Sequence, residues 1–342
     1  MNMTQWFDGI RRAPVKKAIP ILSFPAVQLL EVSVRDLISD SDLQARGMKA
    51  VTDRVDSAAA VSMMDLSVEA EAFGAAIHVS DDEVPAVTGH IIESAAQAEA
   101  LAIPPVGAGR TGLYVEAIRK AKTLITDRPV FAGVIGPFSL AGRLMDVTEA
   151  MMYCYDDPDM VHTVLRKVTQ FSVAYINAYK AAGADGIVMA EPLAGLLTPA
   201  LNEEFSARYA EQIVDAVQDD GFAVVYHNCG NGTPKMADAI ASIGARAYHF
   251  GNAADMAEML RLMPEDVVVM GNIDPAGQFR NGTPESVRAA TLALLERCGG
   301  CPNFVISSGC DIPPGVDIDN VDMFFKTAES FYYNKSLRNA IS

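Results

Sequence analysis

The stretch Gly183-Ala184-Asp185-Gly186-Ile187-Val188-Met189-Ala190-Glu191 joins a glycine turn to a short apolar run that ends in an acid. A helical pattern over residues 159–182 precedes it, so Gly183 falls where the end of a helix favours glycine. Residues 244–251 repeat this arrangement one unit later. A helix, a glycine turn and a continuously apolar strand, in that order, indicate a parallel sheet with helices on both faces.

Similar apolar, β-leaning runs recur along the whole chain, at residues 19–24, 62–67, 129–135, 186–191, 223–227, 247–250, 267–273 and 304–308. Helical patterns lie between several of them, at residues 159–182, 202–219, 234–243 and 284–297. Eight strands alternating with helices are what a closed (β/α)8 TIM barrel requires. The sequence therefore predicts an α/β fold: one barrel domain over residues 1–342, with N-terminal additions and a short excursion at 75–92, before the third strand.

The composition excludes several classes of partner. The chain has 342 residues, of which 50% are hydrophobic, and its formal net charge is -16. Such an acidic surface repels nucleic acid and anionic lipid. No apolar run reaches the roughly 18 residues of a membrane span, and the first residues lack the features of a signal peptide. We therefore expect a cytoplasmic protein whose five cysteines stay reduced.

Polar side chains follow the predicted strands at the end where barrel enzymes carry their active sites. They are Glu191, His227, Cys229, His249, Asp274, Cys310 and Asp311. His227 and Cys229 are two positions apart, so on an extended strand end they point to the same side. Cys310 can reach them from the eighth strand. Zinc favours tetrahedral sites built from Cys sulfur and His nitrogen, and a catalytic site keeps one position open.

The same residues admit other readings. Cys229 and Cys310 could be small buried apolar residues, with His227 as a core histidine. Cys298-Gly-Gly-Cys301 is a C-x₂-C pair that could bind a structural zinc together with Cys310, or cycle between thiol and disulfide. No second half of a zinc knuckle follows it, which favours an incidental loop pair. The phosphate-binding loop, the dinucleotide-binding fingerprint and the serine-hydrolase elbow are all missing from the sequence.

Four segments together resemble the uroporphyrinogen decarboxylase superfamily: residues 183–195, 227–231, 271–275 and 307–314. Within it, H-x-C followed by a distant Cys is similar to the zinc motif of the corrinoid-dependent methyltransferases, of which the methylcobamide:coenzyme M methyltransferases are one group. The resemblance implies that His227, Cys229 and Cys310 bind zinc. It further implies a corrinoid-binding carrier protein as partner, a methyl-corrinoid as methyl donor and a small thiol, such as coenzyme M, as acceptor.

Three further residues are candidates for catalysis in this pocket. Glu191 could be a spare zinc ligand or take the thiol proton; alternatively it hydrogen-bonds a neighbouring loop or His227. His249 could hold an anionic group of the substrate, or bond to backbone at a strand end. Asp274 is the second carboxylate that we expect near the pocket.

Other functions remain open at this stage. The methyl group could move the other way, from a small donor onto Co(I). A metal-free decarboxylase is a third reading, but residues 20–30 contain no arginine to hold a substrate with many carboxylates. A barrel that only binds a carrier protein is the fourth. A homodimer is compatible with the sequence.

Overall fold

The computed structural model describes residues 1–341, and its centre is a parallel β-sheet. The strands are β1 (Ala60–Val61), β2 (Ala76–His78), β3 (Ala86–Thr88), β4 (Val130–Ile135), β5 (Gly186–Ala190), β6 (Ala223–Asn228), β7 (Ala247–Phe250), β8 (Val268–Ile273) and β9 (Phe304–Ser308). Seven of them pair side by side in the order β1-β4-β5-β6-β7-β8-β9, every pair parallel. The antiparallel hairpin of β2 and β3 is the excursion that the sequence predicts.

The barrel closes through residues 18–21, which lie between β9 and the chain leading into β1. The amide of Ile19 donates to the carbonyl of Ile306 at 3.1 Å, and the amide of Ala58 donates to the carbonyl of Ala18 at 3.0 Å. The amide of Ile21 instead donates to the side chain of Ser308. The segment therefore takes the eighth position without a regular ladder, and the predicted strand at 19–24 is wrong in that detail.

The strand predicted at 62–67 is also misplaced, because the observed β1 covers Ala60–Val61. Its ladder ends at Ser62, whose hydroxyl accepts the amide of Gly133 at 2.9 Å in place of a backbone carbonyl. Residues beyond that point turn into the loop that carries Asp65. The (β/α)8 barrel predicted from the sequence is nevertheless the observed fold.

Helices surround the sheet. They are α1 (Met3–Arg12), α2 (Ala26–Leu30), α3 (Val34–Ser39), α4 (Ser41–Arg54), α5 (Val68–Ala72), α6 (Ala95–Ala100), α7 (Thr111–Leu124), α8 (Pro137–Met145), α9 (Val147–Asp156), α10 (Pro158–Ala181), α11 (Pro199–Asn202), α12 (Arg208–Val217), α13 (Ala237–Ser242), α14 (Met256–Leu262), α15 (Pro284–Cys298) and α16 (Ile318–Ile341). Short 3₁₀ turns cover Leu193–Leu196 and Thr233–Met236, and π-helical turns cover Glu203–Ala207 and Pro275–Arg280.

Local sequence explains the helix ends that the patterns predicted best. Helix α10 begins after the Asp157 cap with Pro158 in its first turn, and Gly183 follows its end with a φ of +98°. Only glycine adopts such a φ without strain, so the opening stretch of the sequence does mark a helix-to-strand turn. The helix predicted at 202–219 is broken by the π-helical turn Glu203–Ala207, which a 3.6-residue pattern does not distinguish from a continuous helix.

The floor of the barrel is covered by α1. The amide of Met3 donates to the carbonyl of Asp220, in the turn that precedes β6, so α1 lies at the amino-terminal ends of the strands. Phe7 is buried, and its ring packs edge-on against Phe131 of β4 with the centroids 6.3 Å apart. The candidate site residues follow the strands and therefore lie at the opposite end of the barrel.

No helix within residues 1–341 is both long enough and apolar enough to cross a membrane.

Candidate metal centre

The parallel register of three adjacent strands assembles the site. Ala190 of β5 pairs with His227 of β6, and His227 pairs with His249 of β7. Cys229 follows His227 by two positions, immediately after β6. At the end of β7, a Cβ atom on Gly251 would lie 2.5 Å from the Cβ of Cys229, so the glycine provides the space that this cysteine occupies.

Cys310 completes the candidate metal-binding group, three side chains that could hold a metal ion. One ligand atom from each of His227, Cys229 and Cys310 lies within 4.8 Å of the other two, and this is the only such group that we find in residues 1–341. The sulfur of Cys310 lies 3.5 Å from Nε2 of His227. In a tetrahedral zinc site, bond lengths of 2.3 Å to sulfur and about 2.05 Å to nitrogen place these two ligands about 3.6 Å apart. The distance between these two side chains therefore matches the spacing of two ligands in a zinc site.

The two thiols of this group affect each other's pKa. A hydrogen bond from Cys310 lowers the pKa of the Cys229 thiol, although burial opposes the shift. The same bond, together with burial, raises the pKa of Cys310 to about 12. Cys229 is therefore the more acidic of the two thiols. A metal ion bound to both sulfurs would displace their protons, because a thiol that coordinates a metal is deprotonated.

His249 is buried and contacts His227 directly. Its Nδ1 lies 2.7 Å from Nδ1 of His227, and its Nε2 lies 2.7 Å from the hydroxyl of Ser307 in β9. Burial first, and then the neighbouring His227, hold the pKa of His249 well below its usual value, so this imidazole is neutral. Both ring nitrogens are already engaged by protein groups, which leaves neither for the substrate anion suggested by the sequence.

Glu191 is fully buried, and its carboxylate is bound to the amino-terminal end of α8. Its oxygens accept hydrogen bonds from the amides of Phe138 and Ser139 at 2.8 and 3.0 Å, and from the Ser139 hydroxyl at 2.7 Å. Burial raises the pKa of Glu191 to about 7, against these three hydrogen bonds. Glu191 is therefore not part of the metal-binding group, and its carboxylate hydrogen-bonds the first turn of helix α8, where the sequence suggested a neighbouring loop or His227 as the partner.

Asp274 follows β8 and caps the π-helical turn Pro275–Arg280. One carboxylate oxygen accepts the amides of Ala276 and Gly277 at 3.0 and 2.9 Å. In this arrangement Asp274 shapes the loop after β8, and it lies outside the group formed by His227 and the two cysteines.

The C-x₂-C pair lies apart from the metal-binding group. Cys298 is buried at the end of α15, and the amide of Cys301 donates to the carbonyl of Cys298 in a tight turn. Burial raises the pKa of Cys298 to about 11, so its thiol stays protonated at neutral pH. Cys310 points toward His227 and not toward this pair.

A buried ionic cluster after β1 was missed from the sequence. Asp65, whose side chain is fully buried, forms an ion pair with Arg110 and accepts the Tyr114 hydroxyl at 2.7 Å. Arg110 also binds Glu71 at 2.7 Å. The acid at a strand end was the available signal, but the misplaced strand predicted at residues 62–67 put Asp65 inside it. A second buried acid, Glu69, accepts the amide of Ile135 at 3.0 Å, and burial raises its pKa to about 8.

Comparison with known proteins finds relatives of two kinds. Curated relatives include the uroporphyrinogen decarboxylase of Coxiella burnetii, 28% identical over 80% of this chain and 77% of the relative. The methylcobamide:CoM methyltransferase MtbA of Methanosarcina acetivorans is also 28% identical, over 79% of this chain and 78% of the relative. The resemblance to both the decarboxylases and these methyltransferases is thus confirmed.

Solved structures share the fold. A methyltransferase from Methanosarcina mazei superposes with a TM-score of 0.85 at 23% identity, covering 96% of this chain and 98% of that one. A B12-independent methionine synthase from Shewanella sp. W3-18-1, in complex with selenomethionine, superposes with a TM-score of 0.66 at 12% identity over the same shares. The family model of uroporphyrinogen decarboxylase (URO-D) matches residues 12–331. With that match over nearly its whole length, the chain belongs to the uroporphyrinogen decarboxylase family.

Proposed function

We propose that the protein is a zinc-dependent methyltransferase that moves a methyl group between a methyl-corrinoid, carried by a partner protein, and a small thiol acceptor. The observation that carries this proposal is the group of His227, Cys229 and Cys310 at the carboxyl ends of the barrel strands. Relatives named as methylcobamide:CoM methyltransferases support it. A decarboxylation would have no evident use for two thiols and an imidazole in this arrangement.

The donor set fits zinc in type as well as in spacing. Two sulfurs and one nitrogen are ligands that Zn²⁺ prefers, and three protein ligands leave a fourth position for substrate. Zinc bound there would lower the pKa of a substrate thiol and so supply a thiolate at neutral pH. With two thiolates and a neutral imidazole, the protein contributes two negative charges, which balance the charge of the ion.

The chain's own residues hold this arrangement. Nε2 of His227 faces Cys310, while Nδ1 faces the carbonyl of His249 at 3.2 Å. Gly251 leaves the space in which Cys229 sits.

In the overall transfer, a sulfur–carbon bond forms on the acceptor as the cobalt–carbon bond breaks. The electron pair of the broken bond stays on cobalt, which becomes Co(I).

The same site could serve the opposite direction, in which a small donor methylates Co(I). A metal-free decarboxylase is the second candidate function, because relatives with that name are equally identical to this chain. Against it, residues 20–30 contain no arginine. The acidic surface of the chain likewise disfavours a substrate that carries many carboxylates.

The deciding experiment is elemental analysis of the protein purified without a metal-binding tag. We expect about one zinc per chain in the wild type and none in Cys310→Ala. Cys301→Ala is the matched control, since it also removes a half-buried thiol but lies outside the group, and it should keep its zinc. The wild type and the control should then demethylate methylcobalamin with at least one thiol of a panel that includes coenzyme M.

Zinc missing from a careful preparation of the wild type would refute the thiol-activation mechanism and favour the decarboxylase. Zinc retained in Cys310→Ala but lost in Cys301→Ala would move the metal to the C-x₂-C pair.

A further inference from the structure

We infer that His249, through its backbone carbonyl together with its imidazole, is a positioning residue that fixes the tautomer of His227, holding its proton on Nδ1 and leaving the Nε2 lone pair directed at the metal position. The inference rests on the proposed function for the metal itself. The tautomer, however, follows from hydrogen-bond geometry in the protein alone.

Nδ1 of His227 has two close neighbours. Two atoms face it: the carbonyl oxygen of His249 at 3.2 Å and Nδ1 of His249 at 2.7 Å. A carbonyl oxygen can only accept a hydrogen bond, so the ring nitrogen opposite it has to be the donor. His227 therefore carries its proton on Nδ1, and its Nε2 is bare.

The tautomer of His249 follows. Because it accepts the His227 proton at Nδ1, its own proton is on Nε2, which lies 2.7 Å from the Ser307 hydroxyl. Ser307 is fully buried in β9, so its hydroxyl holds the far end of this series of hydrogen bonds in place. The neighbouring strands β6 and β7, and β9 on the far side of β8, thus contribute one residue each to a series of hydrogen bonds, His–His–Ser, of defined direction.

The contact with His249 also affects the charge around the metal position. A histidine that ligates a metal usually donates its second N–H to a carboxylate, a backbone carbonyl or water. Here a neutral imidazole shares that role with a carbonyl, so the ligand gains orientation without additional negative charge. A carboxylate at position 249 would place a further charge next to two thiolates.

Substitutions at position 249 can keep one contact of the imidazole ring, with His227 or with Ser307, and remove the other. An asparagine amide reaches about as far as Nδ1 of histidine and offers an oxygen to His227. A glutamine amide reaches about as far as Nε2 and keeps the contact with Ser307, but it loses the one with His227. We expect His249→Asn to retain zinc affinity within about 3-fold of the wild type, and His249→Gln to lose about 10- to 100-fold, as is typical for such supporting residues.

The experiment has two readouts. The first is ¹⁵N NMR of the metal-free wild type, in which only five histidines have to be assigned; we expect a protonated Nδ1 and a bare Nε2 at His227. The second is zinc affinity of the wild type and the two variants, by competition with a chromophoric chelator, after circular dichroism has shown that each variant is folded.

The opposite tautomer at His227 in the NMR experiment would overturn the inference. So would equal zinc affinity in the two variants, because a merely structural histidine would not distinguish them. If a variant does not fold, the NMR readout on the wild type decides alone. A wild type that binds no zinc would refute the proposed function instead, and the tautomer would still be measured.

Discussion

A Cβ atom on Gly136 would lie 2.2 Å from Cγ of Glu191, so the glutamate side chain occupies the space that any larger residue at 136 would need. The carboxylate thereby reaches the amino-terminal end of α8, where three donors bind it. A strand-end acid that looks catalytic in the sequence thus serves as a cap for α8, the helix that follows the neighbouring strand β4.

Glu191→Gln should therefore lower stability and spare the metal. The NH₂ group of the glutamine would face an N–H or O–H of Phe138 or Ser139, and two donors cannot hydrogen-bond each other. The unsatisfied group should lower the free energy of unfolding by about 1–3 kcal/mol. Urea unfolding measures the loss, and elemental analysis should still find about one zinc per chain. A weaker zinc affinity with normal stability would instead identify Glu191 as a metal ligand.

Glycine substitutions should separate stability from metal binding. In Gly251→Ala the new Cβ would press on Cys229, and in Gly186→Ala it would lie 2.3 Å from the carbonyl oxygen of Ala223. Both changes should destabilise the barrel by about 1–3 kcal/mol through overpacking. Only Gly251→Ala should also weaken zinc binding in the folded protein, as chelator competition would reveal. Equal zinc affinity in the two variants would contradict the close fit between Gly251 and Cys229.

The ion pair of Arg110 should matter far more than an exposed pair of similar geometry. Arg110→Met leaves the buried carboxylate of Asp65 without its cation, which typically costs about 3–5 kcal/mol. Arg54→Met removes an exposed pair with Asp322, in which the side chains are 39% and 37% exposed, and should cost less than about 1 kcal/mol. Equal losses of unfolding free energy in the two variants, measured in urea, would contradict the burial of the Asp65 carboxylate in this structure.

Glu69 should make the protein less stable as the pH rises. Its pKa is raised from 4.5 to about 8 by burial, so between these values the unfolded chain has released a proton that the folded chain keeps. Stability is then largest below pH 4.5 as far as this group is concerned, and it decreases up to about pH 8. Melting temperatures of Glu69→Gln should fall less over this range than those of the wild type. The exposed Glu285→Gln is the control, and an unchanged slope in Glu69→Gln would refute the assignment.

The sequence predicted the regular half of the barrel well, because strands such as β5 and β6 are buried on both faces and read as continuous apolar runs. It also brought His227, Cys229 and Cys310 together, since strand ends of a parallel barrel meet at one rim. It failed for the first two strands, where side chains of Ser62 and Ser308 replace backbone acceptors. No local sequence pattern reveals that the side chain of a residue distant in sequence will replace a backbone acceptor.

The orientation of polar side chains was the other limit. A sequence shows that His249 and Glu191 end their strands, but whether each faces a substrate depends on the partners available from neighbouring elements. Ser307 and the amino-terminal end of α8 supply those partners, and both are distant in sequence. The Asp65 cluster was missed for the same reason, because Arg110 approaches it from another helix.

The helix that covers the floor, α1, has a kinetic consequence for the proposed reaction. With Met3 and Phe7 buried beneath the strands, and the interior of such a barrel filled by side chains, the structure is a cup with a single rim. A carrier protein seated on that rim would close the way to the small acceptor. The acceptor would then have to enter first, and its methylated form could leave only after the carrier departs. Turnover would then follow a compulsory order of binding and release.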